Sequence, residues 1–466
     1  MNTAVPLDRR TRLALIGLVA SAFALRLACA QGGLWLDEAW SAVLAHEVGT
    51  PAGVLFGINH DNNHHLNSLW LQTVGLAAPS WLMRIPSILA GTLAVPVAAA
   101  LALPRGRTTA IVTALLFAAS PILVTLGSEA RGYAPMTLTL LVACLFVDRT
   151  LAGDERYRRS RPLALCFALG ALAQLTMVFG VLALCGWAFV TWWRRDSFRA
   201  ALRRSVALFG APLIALAAVL ALVAGAAWAS PAGFRFGSYD PFTFHAFSSA
   251  LVDMVGYTIG LPVQTVLLPG AAVVLVVLAP RWGATRTSLY GLAIIAFPLM
   301  LAVLQSGNPG YPRYYLLSAI ALLLLIGEVI GLALATQGRA RWIAAAALAA
   351  ITLGSMVQNL ELATDRRGDP AEAVRMLAAL APDGSTIALD RETGRALLMV
   401  AAAQQGYALR FATHPCPALP FVFADRSRGE APPPFFKRCG ITYTPVVMAE
   451  PQGLSGTPWT LYRRPF

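Results

Sequence analysis

The sequence predicts an α-helical membrane protein that crosses the bilayer about eleven times and ends in a small α/β domain outside it. Of its 466 residues, 57% are hydrophobic and only 13% are charged, whereas a soluble domain carries about 25% charged residues. Apolar runs close to the ~20 residues that cross a hydrocarbon core recur from Leu13 to Met356. The region 359–466 is polar enough to fold in water.

The distribution of arginine predicts how the chain crosses the membrane. Segment 162–193 fits either one long helix or two short ones, and only two helices place nineteen loop arginines on one side. Because basic loops stay in the cytoplasm, we expect two helices, a cytoplasmic N-terminus, a periplasmic C-terminus and an inner-membrane location. The predicted spans are about 13–30, 82–103, 108–126, 133–148, 162–176, 178–193, 205–229, 261–279, 287–305, 314–335 and 341–358.

The net charge of +13 is therefore assigned to membrane orientation, and no nucleic-acid partner is expected. The predicted domains are a transmembrane domain, 1–358, with a first outer loop at 31–81, and a periplasmic α/β domain, 359–466. In the latter, Asp369-Pro370-Ala371-Glu372 predicts the start of a helix that runs to Leu380, and 386–389 reads as a strand. Cys416 and Cys439 lie in this domain, where an oxidising compartment favours a disulfide between them.

Two adjacent carboxylates, Asp37 and Glu38, follow the first span and lie between Trp35 and Trp40. They read either as solvated acids, one of them capping a helix, or as reactive groups. Tryptophans at the headgroup level would hold the acids close to lipid phosphates. A carboxylate in that position can act as a general base or hold a divalent cation.

A polar cluster at 59–67 follows in the same loop, and its histidines read either as structural hydrogen-bonding groups or as a binding site. His64, His65 and Asn67 are predicted to recognise substrate hydroxyl groups. A divalent metal ion held by Asp61 and His64 stays open, because imidazole and carboxylate are common metal ligands. The spacing matches no specific metal motif, so no cofactor is assigned.

Arginines at three predicted span ends suit phosphate, because a guanidinium fork matches phosphate oxygens. The alternatives are a local ion pair between Glu129 and Arg131 and an interfacial belt of tyrosines. The predicted phosphate ligands are Arg84, Arg131 and Arg313, and the predicted substrate contacts beside them are Glu129, Tyr133, Tyr311 and Tyr314. The sequence has no Gly-rich phosphate loop, serine elbow or H-E-x-x-H motif, which argues against nucleotide hydrolase, esterase and zincin chemistry.

Four of these segments resemble motifs of the GT-C superfamily of membrane glycosyltransferases, in the same order and at the same span positions. The resemblance covers about residues 10–360 and is strongest to glycosyltransferase family 39, which includes protein O-mannosyltransferases and the lipid A aminoarabinose transferase. The chain departs from many members at 64–67, which lacks the prolines of H-P-P-L-Y, and at 174–176, which lacks a histidine. The matching segments are Trp35-Leu36-Asp37-Glu38-Ala39, Arg84-Ile85-Pro86-Ser87, Glu129-Ala130-Arg131-Gly132-Tyr133 and Tyr311-Pro312-Arg313-Tyr314.

The resemblance implies a GT-C-like fold and transfer of a sugar, with inversion, from a polyprenyl-phosphate carrier to an extracytoplasmic lipid, glycan or protein acceptor. It assigns Asp37 as the base or the acid that orients the acceptor, Glu38 as a supporting or metal-proximal group, and the arginines as phosphate ligands. Two alternatives remain: a transporter or flippase of lipid-linked glycans, and a glycan polymerase or ligase with a lipid-diphosphate donor. A transporter would need charges along a path between the helices. The interiors of the predicted spans are almost free of charged residues, with the exception of Glu328, which argues against a transporter.

Overall fold

The computed structural model describes residues 7–58, 64–230, 240–261, 265, 267–414, 416, 418–427 and 429–465. A helical body precedes a small sheet domain, and a π-helical turn, Gly291–Ala296, joins α15 to α16. The helices are α1 Arg9–Cys29, α2 Leu36–Glu47, α3 Pro51–Phe56, α4 His65–Val74, α5 Ser80–Met83, α6 Ile85–Ala102, α7 Arg107–Ala119, α8 Pro121–Leu126, α9 Tyr133–Leu151, α10 Ser160–Ala173, α11 Met177–Arg195, α12 Phe198–Ala229, α13 Phe244–Ile259, α14 Leu267–Leu278, α15 Thr287–Tyr290, α16 Phe297–Val303, α17 Leu316–Leu334, α18 Arg339–Asp365, α19 Ala371–Leu380 and α20 Thr393–Gln405.

The described residues contain seven helices that are long and apolar enough to cross a membrane, together with four shorter apolar helices. Each of them coincides with one predicted span, so the chain is a multi-pass membrane protein. The long segments are Arg9–Cys29, Ile85–Arg105, Tyr133–Leu151, Met177–Arg195, Phe198–Ala229, Pro312–Leu334 and Arg339–Gly368, and the short ones are Arg107–Ala119, Ser160–Ala173, Leu267–Trp282 and Thr287–Val303.

The segment 162–193 forms two helices, α10 and α11, as the arginine distribution predicted. α10 ends because Gln174 adopts an extended conformation, with φ −159° and ψ 124°, and its side-chain oxygen accepts a hydrogen bond from the Leu175 amide at 3.1 Å. The chain turns through three residues before α11 begins at Met177. This turn leaves the Ala173 carbonyl free to accept a bond from another segment.

A helix between the predicted spans 205–229 and 261–279, α13, packs against α8, α17 and α18. Thr243 caps its start, because the Thr243 hydroxyl accepts a hydrogen bond from the Ala246 amide at 3.1 Å. Gly260 ends it in the left-handed region at φ 69°. A Cβ at Gly260 would lie 2.3 Å from the Ser355 amide nitrogen, so only glycine fits this approach to α18.

The predicted spans hold more charge than the sequence analysis recognised. Arg26 lies inside α1, is buried, and donates hydrogen bonds to the carbonyls of Ala22, Phe117 and Ala118. Two of these carbonyls belong to the last turn of α7, so the guanidinium compensates the end of that helix. Glu328 is also paired, since Arg105 Nε donates to Glu328 Oε1 at 3.0 Å. Both charges therefore stabilise helix packing.

The C-terminal region forms a six-stranded mixed sheet with α19 and α20, which confirms the predicted small α/β domain. The sheet order is β2-β1-β3-β6-β5-β4, in which β1 pairs parallel with β2 and β3, and the other pairs are antiparallel. A disulfide joins Cys416 to Cys439, whose Cα atoms lie 5.6 Å apart. The strands are β1 Ser385–Leu389, β2 Leu409–Phe411, β3 Phe421–Asp425, β4 Phe436–Arg438, β5 Ile441–Ala449 and β6 Trp459–Arg463.

The structure does not separate the two predicted domains at residue 358. The last span, α18, continues to Asp365, because the helix ends only where Arg366 adopts a left-handed conformation. The sheet domain also shares one hydrophobic core with the first outer loop, in which Ala39 and Val43 of α2 pack with Leu397 and Ala401 of α20. The first loop and the C-terminal domain therefore form one packed unit above the helical body.

Candidate active site

The two adjacent acids of the first loop point in different directions from the first turn of α2. This helix begins at Leu36, and the carboxylate of Glu38 accepts a hydrogen bond from the amide of Trp35, the residue before the helix, at 3.3 Å. Successive residues of an α-helix differ by about 100° around its axis. Asp37 and Glu38 consequently face different neighbours.

Glu38 is fully buried and forms a two-pronged ion pair with Arg84. Arg84 Nε and Nη2 donate to the two carboxylate oxygens at 2.8 and 2.6 Å. Arg84 also donates to the carbonyls of Ala30 and Gly33 at 2.8 and 2.9 Å, and Glu38 accepts the Ala130 amide at 2.6 Å. Burial raises the pKa of Glu38, but the charge and hydrogen bonds of Arg84, the Arg367 charge and the Ala130 amide together lower it below its ordinary value.

This pair corrects the predicted role of Arg84 as a phosphate ligand and the interpretation of Glu38 as a reactive acid. Arg84 is 0% exposed and its guanidinium is already bound to a carboxylate and to backbone carbonyls, so it has no face left for a lipid phosphate. Glu38 is equally buried and supports the loop that begins α2 without reaching a substrate. The pair holds together the ends of α1, α2 and α6, which meet beneath the site.

Asp37 lies on the open side of α2 and contacts two arginines that come from distant parts of the chain. Arg131 Nη1 and Arg313 Nη2 both reach Asp37 Oδ2, the latter at 3.1 Å. The side chains of Asp37, Arg131 and Arg313 are 25%, 9% and 17% exposed. Burial would raise the pKa of Asp37, but Arg313 and Arg131 together hold it below its ordinary range. The carboxylate is therefore ionised and partly open to a ligand.

Aromatic rings surround the two guanidinium groups. The Trp35 ring centroid lies 5.9 Å from Arg131 Cζ and 5.8 Å from Arg313 Cζ, so one ring contacts both cations. These rings fix the positions of the arginines without neutralising them, which leaves their charge available to an anion. The further distances are 5.2 Å from Arg131 to the Tyr133 ring, and 4.6 and 5.6 Å from Arg313 to the Tyr311 and Tyr314 rings.

His64 orients Arg131 and does not face an open site. Arg131 Nε donates to His64 Nε2 at 3.1 Å. His64 Nδ1 lies 3.2 Å from the Gly132 amide nitrogen and 3.3 Å from the Ala173 carbonyl oxygen. Burial and the nearby Arg131 charge keep the pKa of His64 well below its usual value, so the ring is neutral. The break between α10 and α11 supplies this carbonyl.

The other predicted contacts of the polar cluster are mostly structural. His65 and Asn67 are buried, and Asn67 Nδ2 donates to the Ala130 carbonyl at 2.5 Å, so both face the protein interior. Asp61 lies outside the described residues. In the described part of the chain, no three His, Cys, Asp or Glu side chains lie close enough together to hold a metal ion. The described residues do not fit a metal site, because His64 already binds a cationic side chain.

Glu129 does not pair with Arg131, and it does not reach the substrate side. It is 1% exposed, and its closest ion-pair partner is Arg367, whose Nε lies 4.0 Å from Glu129 Oε1. Burial raises the pKa of Glu129. The prediction that Glu129 contacts the substrate is therefore corrected. Glu129 faces the C-terminal domain and does not face the arginines around Asp37.

Arg367 is a buried residue of the C-terminal domain that the sequence analysis missed. Its guanidinium donates to the Cys29 carbonyl at 2.5 Å and to Ser128 Oγ at 2.7 Å, at the ends of α1 and α8. It sits in a left-handed turn, with φ 57°, a conformation that non-glycine residues adopt only with tertiary support. The sequence held one signal that could have identified Arg367. Arg366 and Arg367 are adjacent on the predicted outer side, where the loops carry few arginines.

The same domain also holds the segment that leads into α2. Asp369 Oδ1 accepts the Gly33 amide at 2.7 Å, and Thr457 Oγ1 accepts the Leu36 amide at 3.0 Å. The Asp369 side chain, which lies just before α19, does not cap that helix and binds the first loop and Arg375. The C-terminal domain thus fixes the backbone from which Asp37 projects.

Comparisons with known proteins agree with this architecture. The model of the family described as dolichyl-phosphate-mannose-protein mannosyltransferase matches residues 64–225. No curated protein matches the chain significantly. Two crystal structures of ArnT from Cupriavidus metallidurans align over nearly the whole chain, each at 13% identity: the apo state, with a TM-score of 0.53 over 96% of this chain and 97% of that one, and the state bound to undecaprenyl phosphate, with a TM-score of 0.56 over 97% of both.

The helical body, the first loop and the C-terminal sheet domain therefore define a multi-pass membrane protein with the GT-C fold. The likeness to ArnT is one of fold, and the GT-C-like fold that the sequence motifs predicted is confirmed.

Proposed function

We propose that this protein is a glycosyltransferase that moves a sugar from a polyprenyl-phosphate carrier to a lipid, glycan or protein acceptor outside the cytoplasm. The observation that carries the proposal is the contact of Asp37 with both Arg131 and Arg313. The site offers a carboxylate that accepts a proton and two cations shaped for phosphate oxygens. The undecaprenyl phosphate bound to ArnT supports a carrier of this class.

The donor phosphate and Asp37 compete for the same guanidinium groups. Both arginines contact the carboxylate in the free protein, and a phosphate that enters between them accepts part of their hydrogen bonds. This exchange weakens the hold of the arginines on Asp37, whose pKa then rises toward its ordinary value. Donor binding therefore makes Asp37 a stronger base at the moment when a sugar is present.

The reaction follows from these positions as a single displacement. The acceptor hydroxyl oxygen attacks the anomeric carbon, Asp37 takes the hydroxyl proton, and the bond between that carbon and the phosphate oxygen breaks. Negative charge grows on the departing polyprenyl phosphate, where Arg131 and Arg313 stabilise it. Attack opposite the leaving group inverts the anomeric centre.

An apolar cavity beside Arg313 suits the first units of the prenyl chain. It has a volume of about 180 Å3, and its lining includes Phe179, Phe242, Leu301 and Tyr314. Tyr314 also contacts Arg313, so the cavity adjoins the phosphate ligands. A carrier lipid with its phosphate between the arginines can extend into this space.

Transfer from a defined donor tests the proposal. Purified protein in nanodiscs should consume a radiolabelled polyprenyl-phosphate sugar and release polyprenyl phosphate. Arg313→Gln should weaken donor binding by about 1.5–3 kcal/mol, because it removes a charge-assisted contact, whereas the exposed Arg341→Gln should bind normally. Consumption of a lipid-diphosphate donor alone would favour a polymerase or ligase. Movement of an unreacted lipid-linked sugar between leaflets would favour a transporter.

The direction in which the site faces is part of the same proposal. The nineteen loop arginines support a cytoplasmic N-terminus, which places Asp37 on the periplasmic side of the inner membrane. Reporter fusions after Arg107 and Arg203 should read as cytoplasmic, and a fusion after Asp365 as periplasmic. A cytoplasmic reading at Asp365 would contradict this orientation.

A further inference from the structure

A second cavity, of about 690 Å3, lies at the end of the helical body opposite to Asp37. Its position follows from α11, which begins at Met177 close to the carbonyl that His64 faces, and ends at Arg195 beside the cavity. The 19 residues of α11 span roughly 28 Å at 1.5 Å per residue. The cavity therefore opens at the other face of the membrane from the proposed active site.

Four arginines from three segments line this cavity: Arg158 before α10, Arg195 at the end of α11, and Arg203 and Arg204 in α12. Two of these arginines have their charge neutralised by an acid, because Arg158 pairs with Glu155 and Arg204 pairs with Asp196. Arg195 donates to the Leu151 carbonyl at 2.7 Å and forms no ion pair with any acid in the described part of the chain. Arg203 has no hydrogen bond or ion pair to any residue that the structure describes.

The cavity combines this charge with an apolar wall. Trp192 is buried and forms one side, and Leu208 of α12 forms another. On the lipid-facing surface beside it, Trp193, Phe198 and Val206 are exposed. The Trp193 and Phe198 rings meet edge to face with centroids 6.0 Å apart, which is a favoured arrangement of aromatic pairs. Tryptophan is enriched at the level of the lipid headgroups.

We propose that this cavity binds the phosphate headgroup of an anionic phospholipid, in the leaflet opposite to the proposed active site. Arg195 and Arg203 hold the phosphate oxygens, because guanidinium forks match them. The acyl chains lie along the exposed apolar face of α12 that begins at Phe198. A headgroup with attached chains fits both halves of this surface, whereas a soluble anion uses only the charged half.

Lipid binding by the intact protein tests this site independently of transfer activity. Native mass spectrometry of protein exchanged from nanodiscs should show retained phosphatidylglycerol when phosphatidylglycerol is mixed with phosphatidylcholine. The double variant Arg195→Gln/Arg203→Gln should bind phosphatidylglycerol at least about tenfold more weakly, because it removes both charge-assisted contacts to the phosphate. The control Arg339→Gln/Arg341→Gln removes two exposed arginines at the start of α18 and should bind like the wild type.

Thermal unfolding separates the ligand classes. Phosphatidylglycerol should raise the unfolding temperature of the wild type more than that of the double variant, and inorganic phosphate should raise neither. Arg203→Gln alone serves if the double variant folds poorly, because Arg203 supports no contact that the structure describes. The proposal would be overturned if the wild type and Arg203→Gln retained the same amount of phosphatidylglycerol, or if the control variant lost as much phosphatidylglycerol as the double variant. It would also be overturned if inorganic phosphate raised the unfolding temperature of the wild type as much as phosphatidylglycerol does.

Discussion

Asp37 and Glu38 are consecutive residues of α2, yet their carboxylates lie in two different regions of the molecule. Glu38 faces the closed region beneath the first loop, where one arginine and two backbone amides surround it. Asp37 faces the open region above, where it shares two arginines that remain partly exposed. Both acids are ionised and paired with guanidinium groups, so pairing alone does not distinguish a structural acid from a reactive one.

The difference between the regions is the state of the arginines. Arg84 has carbonyl acceptors in addition to Glu38, and none of its surface is exposed. Aromatic rings contact both Arg131 and Arg313, and His64 accepts a hydrogen bond from Arg131. The only acid that pairs with either arginine in the described part of the chain is Asp37, and an anionic ligand can take its place. A buried ion pair with further hydrogen bonds fixes one geometry, whereas an exchangeable pair can accept a phosphate.

The largest expected effect separates the two acids by activity. Asp37→Asn keeps the size of the side chain but removes its capacity to accept a proton, so kcat should fall roughly 10²–10⁴-fold. Donor binding should survive, because both arginines remain. The measurement is single-turnover transfer of labelled sugar, together with a donor-binding assay.

Glu47→Gln is the matched control for this variant, since Glu47 is an exposed acid of the same helix. It should transfer at the wild-type rate. Wild-type turnover by Asp37→Asn would remove Asp37 from the mechanism.

Glu38→Gln should act through folding. It leaves the buried Arg84 charge without its carboxylate, and loss of one partner of a buried ion pair costs about 3–5 kcal/mol of unfolding free energy. The yield of folded protein and its unfolding temperature should both fall well below those of Glu47→Gln. Unchanged stability with abolished turnover would instead place Glu38 among the reacting groups.

These two acids also show what the sequence could predict. The segment that contains them, its membrane position and its resemblance to a glycosyltransferase motif were evident from residues 35–39. Apolar run length located the eleven spans, and arginine distribution divided 162–193 into α10 and α11. These properties depend on local composition, which a single sequence records.

Side-chain direction was beyond the sequence because it depends on how helices rotate against one another. Arg84, Arg131 and Arg313 all lie at span ends. Residue type and position in the sequence therefore could not show which of them is buried in a structural ion pair and which are open to a ligand. Packing turned Arg84 inward and left the other two beside Asp37. Arg367 was missed because its partners, Cys29 and Ser128, lie more than two hundred residues away in the chain.

Arg367 tests whether the C-terminal domain maintains the closed region. Arg367→Gln should lower the unfolding free energy by about 1.5–3 kcal/mol, because it removes charge-assisted hydrogen bonds at a buried position. It also takes the guanidinium away from Glu129, which lies directly before the Arg131 loop. Arg366→Gln is the control, since Arg366 is exposed and adjacent. Equal unfolding temperatures of the two variants in a thermal melt would contradict this role.

The smallest expected effect is a difference between two pH profiles. Arg131 and Arg313 lower the pKa of Asp37 in the free protein, so the carboxylate stays ionised, and its ion pairs persist, until the pH falls through that depressed value. The pH profile of kcat/KM reports the free enzyme, and that of kcat reports the donor complex. Because the donor phosphate draws the arginines away from Asp37, the acid limb of kcat should lie at higher pH than that of kcat/KM.

Arg313→Gln should narrow the gap between these limbs, because it removes one of the two charges that depress the pKa of free Asp37 and so moves the limb of kcat/KM to higher pH. Glu47→Gln should leave both limbs in place. The measurement is the rate of sugar transfer at saturating and at limiting donor over the acid range in which the protein stays folded. Coincident limbs in the wild type would mean that the phosphate does not compete with Asp37, and the arginines would then act on the carboxylate throughout the reaction.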